Sequence, residues 1–305
     1  MDLTGFIEKI DRFPKNLDAV EMKRQIAELD IELHKLTSKI PIHHSELQWI
    51  KVKLGFIGEF NFPLLKQGKT STIDVFCAPD LVLFLSYYKN RMSKNIFLDI
   101  GANIGLHTVV ARLCGYHCYS FEPDHKTYSL GKLFLEKNSC GVEFINSTTI
   151  SKNHNSSIRS SYIEAAVSEK FSEQSFIRLI DNPYGNHIKG QKQDVYGSVE
   201  EIIVKTIDIN RFINASFTAK IDAEGSDLII LNRLIRGPNF NNYSNTIHLC
   251  DWRDETRPGM YESIKNIKAK ITDGISGDKI KSMLNLPANK SYDFVSILSQ
   301  QIPNE

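Results

Sequence analysis

The segment that most constrains this 305-residue chain is Phe97-Leu98-Asp99-Ile100-Gly101-Ala102-Asn103-Ile104-Gly105. Residues 95–100 form a short apolar run, sized for a buried strand rather than a helix. Residues 106–113 read as a helix. Between them, Gly101 and Gly105 mark a tight turn, because glycine accepts dihedrals that side chains resist and lets backbone come close to a ligand. The helix that follows offers unpaired N–H groups at its start. A strand passing through a glycine turn into a helix is the unit of a parallel α/β sheet. In such sheets ligands bind beyond the carboxyl ends of the strands, where strand order switches.

The same alternation continues downstream. Residues 118–121 read as a second strand, closed by Glu122-Pro123, and 127–138 as a second helix. Residues 142–145 form a third strand. After a polar stretch at 147–161, residues 162–167 read as another strand. Residues 181–198, rich in Gly, Asn, Gln and His, read as a mobile surface loop. Strand 204–208 leads to a short helix, strand 219–222 to a helix at 226–235, and strands at 246–250 and 292–298 end the series. This predicts an α/β protein with a mostly parallel sheet and helices on both faces.

Upstream the signals differ. In 17–40, Met22, Ile26, Leu29, Leu33, Leu36 and Ile40 recur at alternating spacings of four and three until Pro41 stops the pattern. That predicts a helix, either docked on its own domain or pairing with a second copy. Residues 41–90 are mixed, with loops and a short hairpin around Lys66-Gln67-Gly68-Lys69. A helix start lies at Ala78-Pro79-Asp80, with 81–88 as its body. The expected division is an N-terminal helical extension and linker at 1–77 and a ligand-binding domain at 78–305.

Composition narrows the function classes. A net charge of +1 carries no basic footprint for nucleic acid. The five cysteines contain no C-x-x-C pair, which argues against a zinc site or dithiol redox centre and fits reduced thiols in the cytoplasm. No apolar run is long enough to span a bilayer, and Met1-Asp2-Leu3-Thr4 does not begin a signal peptide.

Glu122, at the end of the second strand, can accept hydrogen bonds from both hydroxyls of a ribose. A glycine turn plus an acidic strand end indicates a nucleoside cofactor, and alone it fits NAD as well as S-adenosylmethionine. Gly101 to Gly105 lacks the G-x-G-x-x-G spacing that a dinucleotide pyrophosphate prefers. Asp99 suits a cofactor whose amino-acid end carries positive charge.

Five blocks taken together resemble the FkbM family of methyltransferases: 97–105, Ser120-Phe121-Glu122-Pro123, Ala165-Ala166-Val167-Ser168, Val204-Lys205-Thr206-Ile207-Asp208, and Lys220-Ile221-Asp222-Ala223-Glu224-Gly225. They run in family order across about residues 78–255. The resemblance implies a Rossmann-like class I methyltransferase fold, S-adenosyl-L-methionine as cofactor, and methyl transfer to a hydroxyl of a sugar, glycoconjugate or other small molecule. By position it implies that Asp99, Gly101, Asn103 and Gly105 line the methionine end. Glu122 would hold the ribose, Phe121 and Ala165 or Ala166 would border the adenine, and Asp222 would lie near the reactive methyl.

Methyl transfer from a sulfonium needs mainly alignment of oxygen, carbon and sulfur. A weakly acidic hydroxyl also benefits from a base. Asp222 and Glu224 are the candidates. The alternatives are a structural contact for Asp222 and a dipole-favoured helix start for Glu224. No wider ligand set for a metal accompanies this carboxylate pair. Asp251, Trp252 and Arg253 depart from the family pattern and suit a sugar acceptor, by stacking and edge hydrogen bonds, unless Trp252 packs in a solvated loop. His187, in the polar loop, would either close over the acceptor or lie on the surface. His107 reads as a packing residue in the first turn of its helix. The expected product is a methylated glycan or small molecule of the surface-polysaccharide type. The competing readings are an NAD-dependent oxidoreductase and a non-catalytic cofactor-binding module assembled through the N-terminal helix.

Overall fold

The computed structural model describes residues 47–54, 57–67, 70–72, 78–93, 95–151, 159–180, 182, 185–192, 197–238, 240–250, 257–264, 269–273 and 295–299, with single positions and short runs between 8 and 35. Within the predicted helix at 17–40, the described positions 21, 24, 25, 27–29, 31, 32 and 35 are helical. Of its apolar seam only Leu29 is described, and it is buried in the core. Asp251, Trp252 and Arg253 lie outside the described residues.

An antiparallel hairpin, β1 (Gln48–Leu54) and β2 (Gly58–Leu64), comes first. Its alternation drives Val52, Leu54, Phe60, Phe62 and Leu64 inward. Two-residue strands β3 (Lys66–Gln67) and β4 (Thr70–Ser71) make the short hairpin expected there. Helix α1 (Ala78–Asn90) follows.

The α/β series then begins: β5 (Ile96–Ile100), α2 (Leu106–Leu113), β6 (His117–Phe121), α3 (His125–Lys137), β7 (Glu143–Ile145) and β8 (Ser161–Ile163). Next come β9 (Ala166–Ser168), β10 (Ser172–Leu179), β11 (His187–Ile188) and β12 (Val199–Asp208). The chain closes with β13 (Phe217–Ile221), α4 (Asp227–Ile235), β14 (Thr246–Leu249), α5 (Arg257–Ile264), β15 (Ala269–Asp273) and β16 (Val295–Ser299).

Eight strands form one sheet in the order β7-β8-β6-β5-β13-β14-β16-β15. All neighbours are parallel until β16, which runs antiparallel to both β14 and β15. From β5 the chain moves outward to one edge, returns to β13 and moves to the other edge, with its last strand reversed and inserted second from that edge. That is the Rossmann-like class I methyltransferase fold. Strand order switches between β5 and β13, so the ends of these two strands open a crevice for a ligand.

The central strands are buried along their whole length, which explains why they read as continuous apolar runs rather than alternating ones. One core layer joins α1, α2 and α3 to the β1–β2 hairpin. Phe134 of α3 meets Phe60 and Phe62 at 6.2 and 5.7 Å. Asn138 exchanges hydrogen bonds with the Asn61 backbone, accepting from its N–H at 2.7 Å and donating to its carbonyl at 2.9 Å. The layer on the opposite face of the sheet includes Phe212, Phe217, Leu231 and Phe240.

The segment expected to be one strand at 162–167 is two strands in different sheets. β8 ends at Ile163, and β9 starts a four-stranded sheet of order β11-β10-β12-β9. Glu164, at the break, accepts hydrogen bonds from the backbone and hydroxyl of Ser147, both at 3.1 Å. Among the described residues no helix is long and apolar enough to cross a membrane.

Candidate active-site cleft

A cleft of about 270 Å³ lies over the carboxyl ends of β5, β6 and β13, with the small sheet on its far side. That is just under the usual range for small-molecule sites.

Its floor is the glycine turn. Gly101 has φ +72°, and a Cβ there would lie 1.8 Å from the carbonyl oxygen of Asp222. Glycine is therefore what lets the ends of β5 and β13 touch. Asn103 also sits in the left-handed region, at φ +51°. Asparagine tolerates this when its side chain bonds locally, and here Oδ1 accepts the Ile104 N–H at 2.8 Å. The Tyr162 hydroxyl donates to the Asn103 carbonyl.

The turn's amides are consumed internally. Ala102 N–H donates to the Phe121 carbonyl at 2.9 Å, Asn103 N–H to Glu122 Oε2 at 3.0 Å, Ile104 N–H to Asn103 Oδ1, and Gly105 N–H to the Ala102 carbonyl at 2.8 Å. The unpaired donors expected from a glycine turn are thus absent at these four positions. The turn supplies space and shape.

Glu122 lines the cleft. Its Oε1 accepts the Asp124 N–H at 2.9 Å. Burial pushes its carboxyl up to about 8, against the pull of the Asp124 and Asn103 amides. The folded protein therefore holds this proton to about pH 8, whereas an unfolded chain releases it near its ordinary value of 4.5. The resulting stabilisation is complete below pH 4.5 and is lost as pH rises towards 8, at up to about 1.4 kcal/mol per pH unit. Urea midpoints of ligand-free protein at pH 5, 6.5 and 8 should fall across this window and fall less in Glu122→Gln. Parallel profiles would remove Glu122 from the effect.

Lys220 sits beneath the turn and lines the base of the cleft. Its ammonium donates to the Gly101 carbonyl at 2.8 Å and faces Asp222 Oδ2 at 3.3 Å and Asp99 Oδ1 at 3.8 Å. Burial alone would lower its proton affinity, but Asp222 and then Asp99 outweigh that and hold it well above the ordinary lysine range. Asp99 is fully buried and does not line the cleft; its Oδ2 accepts from Thr108 at 2.7 Å. Asp222 does line the cleft, with its side chain 40% exposed.

Other expected residues divide in the same way. Gly101, Asn103, Phe121, Glu122, Ala166, Asp222 and Glu224 line the cleft, whereas Gly105 and Ala165 do not. Gly105, at φ +85°, is the N-cap of α2, and Ala165 is buried in the core. Phe121 also packs edge-on against Phe212 at 5.1 Å. Glu224 has φ +46° and pairs with Lys192. His187 is 2% exposed, and its Nδ1 donates to the Gly185 carbonyl at 2.8 Å. Its neighbours Asn186 and Ile188 face the cleft instead.

The small sheet is anchored as a roof. Arg178 of β10 pairs with Asp124, the N-cap of α3, and with Glu200 at 2.8 Å. At the other end a Cβ on Gly225 would lie 2.4 Å from the Gln191 carbonyl oxygen, so only glycine allows that approach. Sequence reasoning assigned no role to Lys220, Arg178 or Asp80. For Lys220 a signal existed: a lone lysine in the buried strand Phe217–Ile221. Among the described residues no group of three or more His, Cys, Asp or Glu is placed to hold a metal ion.

No protein-family model matches the chain, and no curated protein matches it. Among solved structures, a SAM-dependent methyltransferase from Agrobacterium tumefaciens aligns at 8% identity and TM-score 0.42, over 86% of this chain and 72% of that one. The T. thermophilus 16S rRNA N2 G1207 methyltransferase, solved with AdoMet and guanosine, aligns at 11% identity and TM-score 0.39, over 85% of this chain and 51% of its own. A putative RNA methyltransferase from Pyrococcus horikoshii aligns at 11% identity and TM-score 0.35, over 92% and 98%. The fold assignment rests on strand order and direction.

Proposed function

We propose that this chain is an S-adenosylmethionine-dependent O-methyltransferase of FkbM type, acting on a hydroxyl of a sugar or glycoconjugate. The observation that carries the cofactor reading is the pairing of Glu122 with a glycine turn whose amides are already taken. A dinucleotide needs free amides at this turn to cradle its pyrophosphate, and the cleft offers instead the carboxyl groups of Asp80, Glu122, Asp222 and Glu224, with one ammonium, Lys220. Glu122 is neutral below about pH 8, and Asp222 and Glu224 are paired with Lys220 and Lys192, but carboxyl groups still outnumber ammonium groups in the lining, which suits a nucleoside with a cationic tail better than a phosphate. When bound, the cofactor supplies an electrophilic methyl group.

The chain's own part is positioning. Glu122 accepts from the ribose, Phe121 and Ala166 flank the base, and Asp222 at the open end takes the acceptor hydroxyl's proton. Both carboxylates face a lysine, Lys192 for Glu224 and Lys220 for Asp222, but the Asp222 side chain is 40% exposed against 22% for Glu224, which makes Asp222 the stronger candidate base. A lining richer in carboxyl than in ammonium groups favours a neutral acceptor that donates hydrogen bonds, as a sugar does, over a phosphate-rich one. In this reading residues 78–305 form the catalytic domain and the enzyme works in the cytoplasm. Asp251, Trp252 and Arg253, next along the chain from the Cys250 strand tip, contact the acceptor.

Calorimetry with the full chain should show binding of S-adenosylhomocysteine and none of NAD. Binding of NAD alone would overturn the reading. Mass spectrometry of cell-surface glycans with and without the gene should then show one methyl group missing from one sugar.

A further inference from the structure

The sequence assigns Asp99 to the charged tail of the ligand, and the structure withdraws it: Asp99 is sealed beneath the turn with Thr108 and Lys220. The carboxylate that lines the cleft there is Asp80, from the first turn of α1, with its side chain 13% exposed. His107, which also lines the cleft, places Nε2 3.3 Å from Asp80 Oδ1 and Nδ1 2.9 Å from the Tyr87 hydroxyl.

These contacts link three side chains in a row. Burial, reinforced by Cys250, Asp99 and Asp80, pushes the Tyr87 phenol well above its ordinary value, so it keeps its proton and can donate to Nδ1. The imidazole bridges Tyr87 on its Nδ1 side and Asp80 on its Nε2 side. The rings of Phe84 and Tyr87 hold the imidazole edge-on at 5.3 and 6.0 Å. A buried chain of Tyr87, His107 and Asp80 thus aims one carboxylate at the cleft, as second-layer partners orient ligating groups elsewhere.

Asp80 sits at the turn's end of the cleft, because its partner His107 is the second residue of α2, directly after the glycine turn. At that end the turn has little to offer a cation. Its Gly101 carbonyl is taken by Lys220, and Asp222 is matched by the same ammonium.

We propose that Asp80, positioned by His107 and Tyr87, binds the α-ammonium group of the cofactor's amino-acid tail. This rests on the cofactor reading above. A charge-assisted hydrogen bond in a shielded cleft corresponds here to a ten- to hundredfold effect on affinity.

The test is calorimetry on the full chain with three ligands: S-adenosylhomocysteine, its analogue with the amino group replaced by hydrogen, and 5′-methylthioadenosine, which lacks the tail. Wild type should bind the deaminated analogue ten- to a hundredfold more weakly than S-adenosylhomocysteine. Asp80→Asn should lose the same factor for S-adenosylhomocysteine, lose nothing further for the analogue, and bind methylthioadenosine as wild type does, which shows that it is folded. Should that variant bind no nucleoside, Asp80→Glu and the wild-type comparison of the two tailed ligands carry the test. The proposal is overturned if wild type binds both tailed ligands equally, or if Asp80→Asn keeps its affinity for S-adenosylhomocysteine within threefold. A wild type that binds none of the three would instead sink the cofactor reading itself.

Discussion

Gly101→Ala should abolish binding of S-adenosylhomocysteine and destabilise the fold by at least about 3 kcal/mol, combining backbone strain with steric overlap. The methyl would be built 1.8 Å from the Asp222 carbonyl oxygen on a residue at φ +72°. No rotamer relieves a Cβ against backbone, so the ends of β5 and β13 must part, and the cleft floor lies between them. Gly115→Ala is the control. Gly115 has φ +90° with nothing within 4 Å of the added carbon, so it should cost only the dihedral penalty, about 1–2 kcal/mol. Urea midpoints of the two variants separate strain from overlap. Equal losses would show that the approach of Asp222 to Gly101 is not close in solution.

Lys220→Met should cost about 3–5 kcal/mol, because it strands a buried carboxylate without its cation. Asp99 Oδ1 has no hydrogen-bond partner and faces the Lys220 ammonium at 3.8 Å. If that charge is the cause, Asp99→Asn in the Lys220→Met background should recover part of the loss, a coupling readable in a double-mutant cycle of urea midpoints. Additive losses would mean that Lys220 acts through packing or through the Gly101 carbonyl alone.

Much of the central sheet was legible because its signals are local. The apolar run before Gly101 and the turn after it placed β5, and the predicted bounds of α2, residues 106–113, are those observed. The break between β8 and β9 was not legible. Strands buried on both faces carry no alternation, so nothing in 162–167 marks the change of sheet. β10 was missed for the opposite reason: Ser-Glu-Gln-Ser opens it, since one face of that sheet is solvated. Pro63, a residue type that usually marks a loop, lies in β2 opposite Trp49. A two-stranded ribbon has free edges on both sides, where a residue lacking an N–H costs little.

The candidate site was legible where backbone demanded it and obscure where contacts decide. Glycines and the acidic strand end stand out in any α/β sequence. An aspartate in the first turn of a helix is ordinary, so Asp80 carried no mark of function until His107 was seen against it. Asp99 looked exposed to ligand because strand ends usually are, and only the burial of Lys220 beneath the turn shows where its charge is spent.

The internal bonding of the turn also has a consequence in time. With the N–H groups of 102–105 closed on protein acceptors and the Asn103 carbonyl pinned by Tyr162, this floor is bonded internally before a ligand arrives. Its amides should exchange slowly with deuterated solvent in the empty protein. Changes in exchange on adding a nucleoside would then report on the walls, the first turn of α1 and the strands of the small sheet, so the part most recognisable in sequence is the part least altered by binding.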